Sequence, residues 1–401
     1  MKSKAIADNQ RLSDARLPGQ ALRRWVGFAL GLALEGLLAQ RVRGENHVDY
    51  KYEDYSEESG RIHVRTHGIL FEVEATSAVS VHGEAVFDAI SGATPTGGPP
   101  PSGSRRVPLA TMDDERSAGN LQVPVKWGGR HTTTPQFAYS LESDYESVGL
   151  SLNHTIDFND KNTTLALGFA WTYDTIMPEF WFGDKEYKNS GDILVGVTQL
   201  LGPKTVLTAN LTLGAANGYM NDPYKGVRFD DYPDPNTLFR EKRPGYRDKQ
   251  IGYLSLTHFV TPLKGSAELT YRFYHDSYGI ASHTVGLGWF QKIGKNIVVS
   301  PMFRFADQSA AAFYGVRFAG DASLPPDDPF YVPIPEHYSA DYRLSAMQTF
   351  TYGLSATWRI KDRVSLDVAY KRYDMLGKDN VTAKDAYPNA NVFSGGVRVW
   401  F

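Results

Sequence analysis

Residues 349–360 read Thr349-Phe350-Thr351-Tyr352-Gly353-Leu354-Ser355-Ala356-Thr357-Trp358-Arg359-Ile360. Phe350, Tyr352, Leu354, Ala356, Trp358 and Ile360 are apolar, and the residues between them are Thr, Gly, Ser or Arg. Strand side chains alternate between two faces, so this period of two predicts a β-strand with one large apolar face. The other face decides the kind of β-protein. A soluble sandwich turns polar side chains to bulk water. Small residues with occasional charges are what the inside of a membrane barrel carries, behind a wall that faces lipid.

The same contrast recurs along the chain. Leu165, Leu167, Phe169 and Trp171 alternate with Thr164, Ala166, Gly168 and Ala170. Ala267, Leu269, Tyr271 and Phe273 alternate with Ser266, Glu268, Thr270 and Arg272. Val364, Leu366, Val368 and Tyr370 alternate with Ser365, Asp367, Ala369 and Lys371. A last run, Gly395 to Phe401, alternates through an aromatic end. Trp400 and Phe401 are therefore expected in the strand that closes the barrel, with Phe401 on the lipid side as a signal to the barrel assembly machinery.

Composition agrees with this class. The chain has 401 residues, no cysteine and 13% aromatic residues. Absence of cysteine excludes a disulfide framework, a thiolate nucleophile and a thiolate metal site. A net charge of -3 gives no nucleic-acid footprint. Mean hydropathy is negative, which a membrane barrel tolerates because only alternate residues meet lipid. The one short apolar segment, Trp25 to Ala39 behind Arg23-Arg24, is too short and too polar for a spanning helix. It predicts a secretory leader over residues 1–44, with a short packed helix as the alternative, and a barrel domain over 45–401.

Strands of ten or so residues are expected at 47–56, 61–75, 78–90, 114–127, 134–144, 147–158, 163–175, 191–201, 204–216, 247–261, 265–276, 280–292, 296–307, 344–360, 363–375 and 390–401. The expected fold is all-β, an up-and-down antiparallel transmembrane barrel of about sixteen strands, with fourteen as the fallback. Turns such as Asn159-Asp160-Lys161-Asn162 and Gly294-Lys295-Asn296 are short. They should alternate with long segments at 91–113, 176–190, 217–245, 308–342 and 376–389. Residues 94–104, rich in Pro and Gly, should form no strand.

Three stretches carry a family resemblance. They are Asp88-Ala89-Ile90-Ser91-Gly92-Ala93-Thr94-Pro95, then Asp113-Asp114-Glu115-Arg116, then Glu142-Ser143-Asp144-Tyr145-Glu146-Ser147 through Asp157 to Leu165. They resemble the bacterial outer-membrane proteins grouped as domain of unknown function 3570. The resemblance implies a barrel in the outer membrane of a Gram-negative bacterium and brings no activity with it.

Parity sorts the charges. Glu72, Glu74, Glu84, Asp88, Glu142, Asp144 and Asp157 are expected as an acidic lumen wall, with Lys51, Arg65 and Lys126 as exceptions. Arg272, Arg304, Arg359, Lys371 and Arg398 are expected as a basic wall, with Glu268 and Asp367 as exceptions. Opposed rows of charge focus a field across a water-filled pore; the same residues paired locally would instead fill it. Catalysis is not expected. Ser151, Asn153 and His154 suit a lipid hydrolase by type, but alternation sends His154 to one face and the other two to the opposite face. No metal or cofactor motif occurs, and acidic loops such as Asp230-Asp231 and Asp327-Asp328 lack calcium-ligand spacing. The expected partners are outer-membrane lipid and small polar solutes. The expected role is a porin-like channel, with a blocked structural or partner-binding barrel in an envelope assembly as the alternative.

Overall fold

The computed structural model describes residues 46–178, 184–234, 236–325 and 327–401. The expected leader over 1–44 lies outside the described residues. The strands are β1 (His47–Glu57), β2 (His63–Glu74), β3 (Ser80–Pro95), β4 (Leu109–Gln122), β5 (Val125–Trp127), β6 (His131–Leu141), β7 (Tyr145–Phe158), β8 (Thr163–Ile176), β9 (Glu186–Gly202) and β10 (Thr205–Gly218). They continue with β11 (Gly226–Val227), β12 (Phe239–Arg240), β13 (Tyr246–Val260), β14 (Gly265–Asp276), β15 (Ala281–Ile293), β16 (Ile297–Gln308), β17 (Met347–Lys361), β18 (Val364–Gly377) and β19 (Asn389–Trp400).

Sixteen of these are staves of one closed antiparallel barrel. The ring runs β1 to β4, β6 to β10 and β13 to β19, and β19 pairs back onto β1 in the register His47↔Trp400. Phe401 N–H extends the seam to the Asn46 carbonyl at 3.0 Å. Closure leaves no strand edge, the condition for a sheet to stand in lipid. The outer face is apolar and exposed along its length, as at Leu150, Phe169, Ile193, Leu254, Leu354 and Phe393. The fold is thus a transmembrane barrel of sixteen staves.

Several boundaries differ from expectation. β3 runs on to Pro95, past its expected end at 90 and into the 94–104 segment expected to form no strand, because Thr94 and Pro95 still pair with Ala110 and Leu109; β9 begins at Glu186 rather than 191. The strand placed at 114–127 runs from Leu109 to Gln122, and β5 follows as a separate short piece on β6. Glu142 and Asp144, expected on a wall, lie in the turn between β6 and β7. That turn, Glu142-Ser143-Asp144, has only three residues and no Gly or Pro to mark it, and the outward apolar phase shifts across it, from Tyr139 and Leu141 to Leu150 and Leu152. The connections also depart from strict long-short alternation. At the end that carries the long loops, those at 58–62, 142–144 and 277–280 are short.

Gly92 sits inside β3 at φ 118, a region closed to other residues without strain. A Cβ there would stand 2.1 Å from the Arg61 carbonyl oxygen. The core lies at the same loop end and is built by loops. Val227, Phe229, Tyr338 and Ala340 form one buried cluster, Tyr278, Ile280, Ala311 and Leu344 a second, and Val107, Tyr342, Met347, Met375, Ala386 and Tyr387 a third.

Candidate functional site

Two loops cross the barrel mouth. The first, 219–245, leaves β10 and returns to β13, the ninth and tenth staves. Its tip reaches the third stave, β3, nearly opposite in the ring. Lys225 Nζ donates to Thr94 Oγ1 at 2.9 Å and to the Pro95 carbonyl at 2.5 Å. Gly226 N–H donates to the Thr96 carbonyl at 2.7 Å, and the Tyr224 hydroxyl donates to Asp144 at 2.9 Å. Pro223 and Gly226 frame this tip, and Val227 and Phe229 behind it anchor it in the loop core.

The second loop, 309–346, packs on the first. Lys242 and Tyr338 exchange backbone hydrogen bonds. Arg243 joins Glu241 at 2.7 Å and Asp341 at 2.8 Å. Arg343 joins Asp341 at 2.6 Å and also Asp222. Asp222, Glu241 and Asp341 balance Lys225, Arg243 and Arg343, so the knot is neutral. The Tyr342 ring lies under Arg61 and Lys225, at 5.9 and 5.8 Å. Loops 96–108 and 378–388 join the same assembly through Val107 N–H to Asp385 at 3.0 Å.

Burial sets the protonation of this knot. It pulls Lys225 below the usual lysine range, partly offset by Asp341 and Asp222. Burial raises Glu241, with Arg243 opposing the shift. Burial also works to raise Asp341, but the guanidiniums of Arg343 and Arg243 outweigh it and hold that carboxyl well below the ordinary value.

The three stretches singled out in the sequence meet at the spot where the first loop docks. Asp88 pairs with Arg116 at 2.5 Å, and Asp114 accepts from Ser143 N–H at 3.2 Å. Asp114, Glu142 and Asp144 bring carboxylate oxygens within 4.8 Å of one another, an arrangement of hard oxygen ligands able to hold a divalent cation. Burial and Asp114 raise the Glu142 carboxyl. Together with Thr94 and Pro95 this patch forms the seat for Tyr224 and Lys225.

Below the mouth, the ladders place the remaining residues on the lumen side. Asp49 and Arg398 are partners across the seam at 2.5 Å, so the acidic and basic walls touch there. Glu72 adds to the field on Arg398, and Glu74 ends the same stave. Glu84 accepts from Asn120 at 2.9 Å, Asp88 is neutralised by Arg116, and Asp157 accepts from Thr164 at 2.7 Å. Arg359 donates to the Asp362 carbonyl at 3.2 Å and lies 5.2 Å from the Trp400 ring. Arg65 belongs to the other face, opposite Asp54 in the ladder, which corrects its lumen placement. Ser151 bonds Gln136 inside, whereas His154 bonds Thr133 and His131 beside Trp127 outside. The three do not converge.

Arg272, Arg304 and Lys371 have no carboxylate partner among the described residues. Arg272 pairs through Thr284 to Ala306, two residues above Arg304. Arg304 pairs through Thr351 to Tyr373, two residues above Lys371. The three cations therefore step down the lumen on the eleventh, thirteenth and fifteenth staves, by ~7 Å along the strands at each step. Glu84, on the third stave, stands opposite the first of them in the ring.

A family model described as "Protein of unknown function (DUF3570)" matches residues 29–398. The chain belongs to this family. None of the curated proteins matches this DUF3570 barrel. Among solved structures, it is similar to the siderophore receptor PirA from Pseudomonas aeruginosa, at 12% identity and a TM-score of 0.45, over 89% of this chain and 62% of PirA. It thus spans less than two thirds of that receptor's length. A bacterial polysaccharide outer membrane secretin gives 7% identity and a TM-score of 0.47, over 90% of this chain and 100% of that one. OmpT, an outer membrane protein of Vibrio cholerae, gives 7% and 0.43, over 90% and 100%.

Proposed function

We propose that this DUF3570 barrel stands in the outer membrane of a Gram-negative bacterium, with its turns in the periplasm. There it passes small polar solutes through a mouth narrowed by its own loops. The reading rests on the descending row of unpaired cations, Arg272, Arg304 and Lys371. A lumen filled for rigidity would pair such groups, as Lys249 is paired with Asp192 at 2.8 Å. Unpaired guanidiniums need water, and sixteen staves leave room for it. With Glu84 opposite, the row sets up a transverse field that orients polar solutes.

Reconstitution in planar bilayers tests this. The parent should conduct steadily, and Arg304→Gln with Lys371→Gln should move the reversal potential toward cation preference. The shift should fade as salt shortens the Debye length. The second reading, a closed barrel that serves an envelope partner, draws on the loop network between Lys225 and β3. It expects a silent parent.

A further inference from the structure

Beneath the crossing loops lies a cavity of about 480 Å³, bounded by Asn221, Asp222, Asp341 and Arg343 above and by Arg272 and Ser282 on the wall. This is the size range of small-molecule sites. Four guanidiniums line it, and three are neutralised. Arg243 is bound by Glu241, Arg343 by Asp222 and Asp341, and Arg247 by Asp276 at 2.9 Å. Arg272 keeps its whole charge. It lies 5.6 Å from the Tyr274 ring, and the Tyr274 hydroxyl is tied to Asp276 at 2.7 Å, so the guanidinium rests on a fixed aromatic face.

We infer that this cavity binds a small hydroxylated monocarboxylate, its carboxylate on Arg272; the inference rests on the channel reading and names the solute class. One uncompensated positive charge matches one negative charge. A dianion would leave its second charge among Asp222, Asp276 and Asp341, unpaired and repelled. The guanidinium fork suits a planar carboxylate. Hydroxyls have partners as well. Ser282 Oγ and the Asn221 side-chain nitrogen have no protein partner among the described residues, since Asn221 uses only its oxygen, toward Arg243 N–H. Gln308 gives its nitrogen to the Arg343 and Ser345 carbonyls and keeps its oxygen free to accept.

The test is ligand-detected NMR titration of the purified full-length barrel in detergent, with gluconate, glucose and sulfate as probes. Gluconate should saturate, and glucose, the uncharged analogue, should not. Arg272→Gln should weaken gluconate roughly tenfold or more, and Arg272→Lys should retain part of the affinity because charge remains without the fork. Heat-modifiable migration checks that each variant is folded. Glucose binding as well as gluconate, sulfate binding tighter, or unchanged affinity in folded Arg272→Gln would each overturn the inference. Binding is read here without flow, so the two readings fail separately. A silent barrel that binds gluconate through Arg272 loses the channel and keeps the site; a conducting barrel that ignores gluconate keeps the channel and loses the site.

Discussion

Lys225 places its ammonium 2.9 Å from Thr94 Oγ1, on the far side of the mouth from the strands that carry it. A buried ammonium is costly unless its hydrogen bonds are made. The contact therefore works as a latch, and it holds the loop over the lumen. Lys225→Met should leave Thr94 and the Pro95 carbonyl without their donor, at a cost of ~1–3 kcal/mol to the docked loop. Single-channel conductance should rise, and protease should nick 219–245 faster. Equal conductance and equal nicking would remove the latch.

The seam offers a second prediction. Arg398 grips Asp49 through two hydrogen bonds, at 2.7 and 2.5 Å, and Asp49 is buried. Arg398→Gln should cost ~1.5–3 kcal/mol, because it strands a buried carboxylate. Adding Asp49→Asn should recover part of that loss. Urea unfolding in detergent measures both. Strict additivity of the two changes would mean that the pair contributes nothing as a pair.

A third concerns the two faces of one strand. Leu354 and Ser355 are neighbours near the middle of β17, Leu354 outward and Ser355 inward beside Ser300. Leu354→Arg should cost ~2–4 kcal/mol in a bilayer, and Ser355→Arg much less. Similar costs in lipid vesicles would undo the assignment of faces.

The walls were legible in the sequence because lipid imposes a period of two on each stave, as in 349–360. The turn at 142–144 misled because it is short and has no Gly or Pro to mark it. The cap left no such signature. Arg243 and Asp341 are 98 residues apart, and Arg343 and Asp222 are 121 apart. Loop residues have no repeat to reveal which charges will meet. Two signals were nevertheless present. Pro223 and Gly226 bracket a Tyr-Lys tip, and Val227 and Phe229 are too apolar for a free loop. The wall charges raise a different point. Parity assigned each of them a face, wrongly for Arg65, but the pairing of Asp88 with Arg116 or of Asp49 with Arg398 depends on register.

The last prediction concerns acid. Asp341 is held below the ordinary aspartate value of ~4 by Arg343 and Arg243 against the opposing effect of burial. A carboxyl whose folded pKa is depressed contributes stability that is fully present above the unfolded value. That stability is lost as pH falls through the folded one. Glu241 is shifted the other way, raised by burial, so its contribution is present in acid and fades as pH rises. Between neutrality and pH ~4, protonation of Glu241 should leave the cap as firm or slightly firmer. Below ~4 the undocked loop takes up a proton on Asp341 that the docked knot resists, so docking of 309–346 on 219–245 should weaken progressively as pH falls toward the depressed folded value. Conductance should therefore hold steady down to about pH 4 and rise below it. Asp341→Asn should conduct at the raised level at every pH, because the carboxylate that bridges Arg243 and Arg343 is never present there. A parent that opens steadily from pH 7 downward, or a variant that keeps the acid step, would place the titrating group elsewhere.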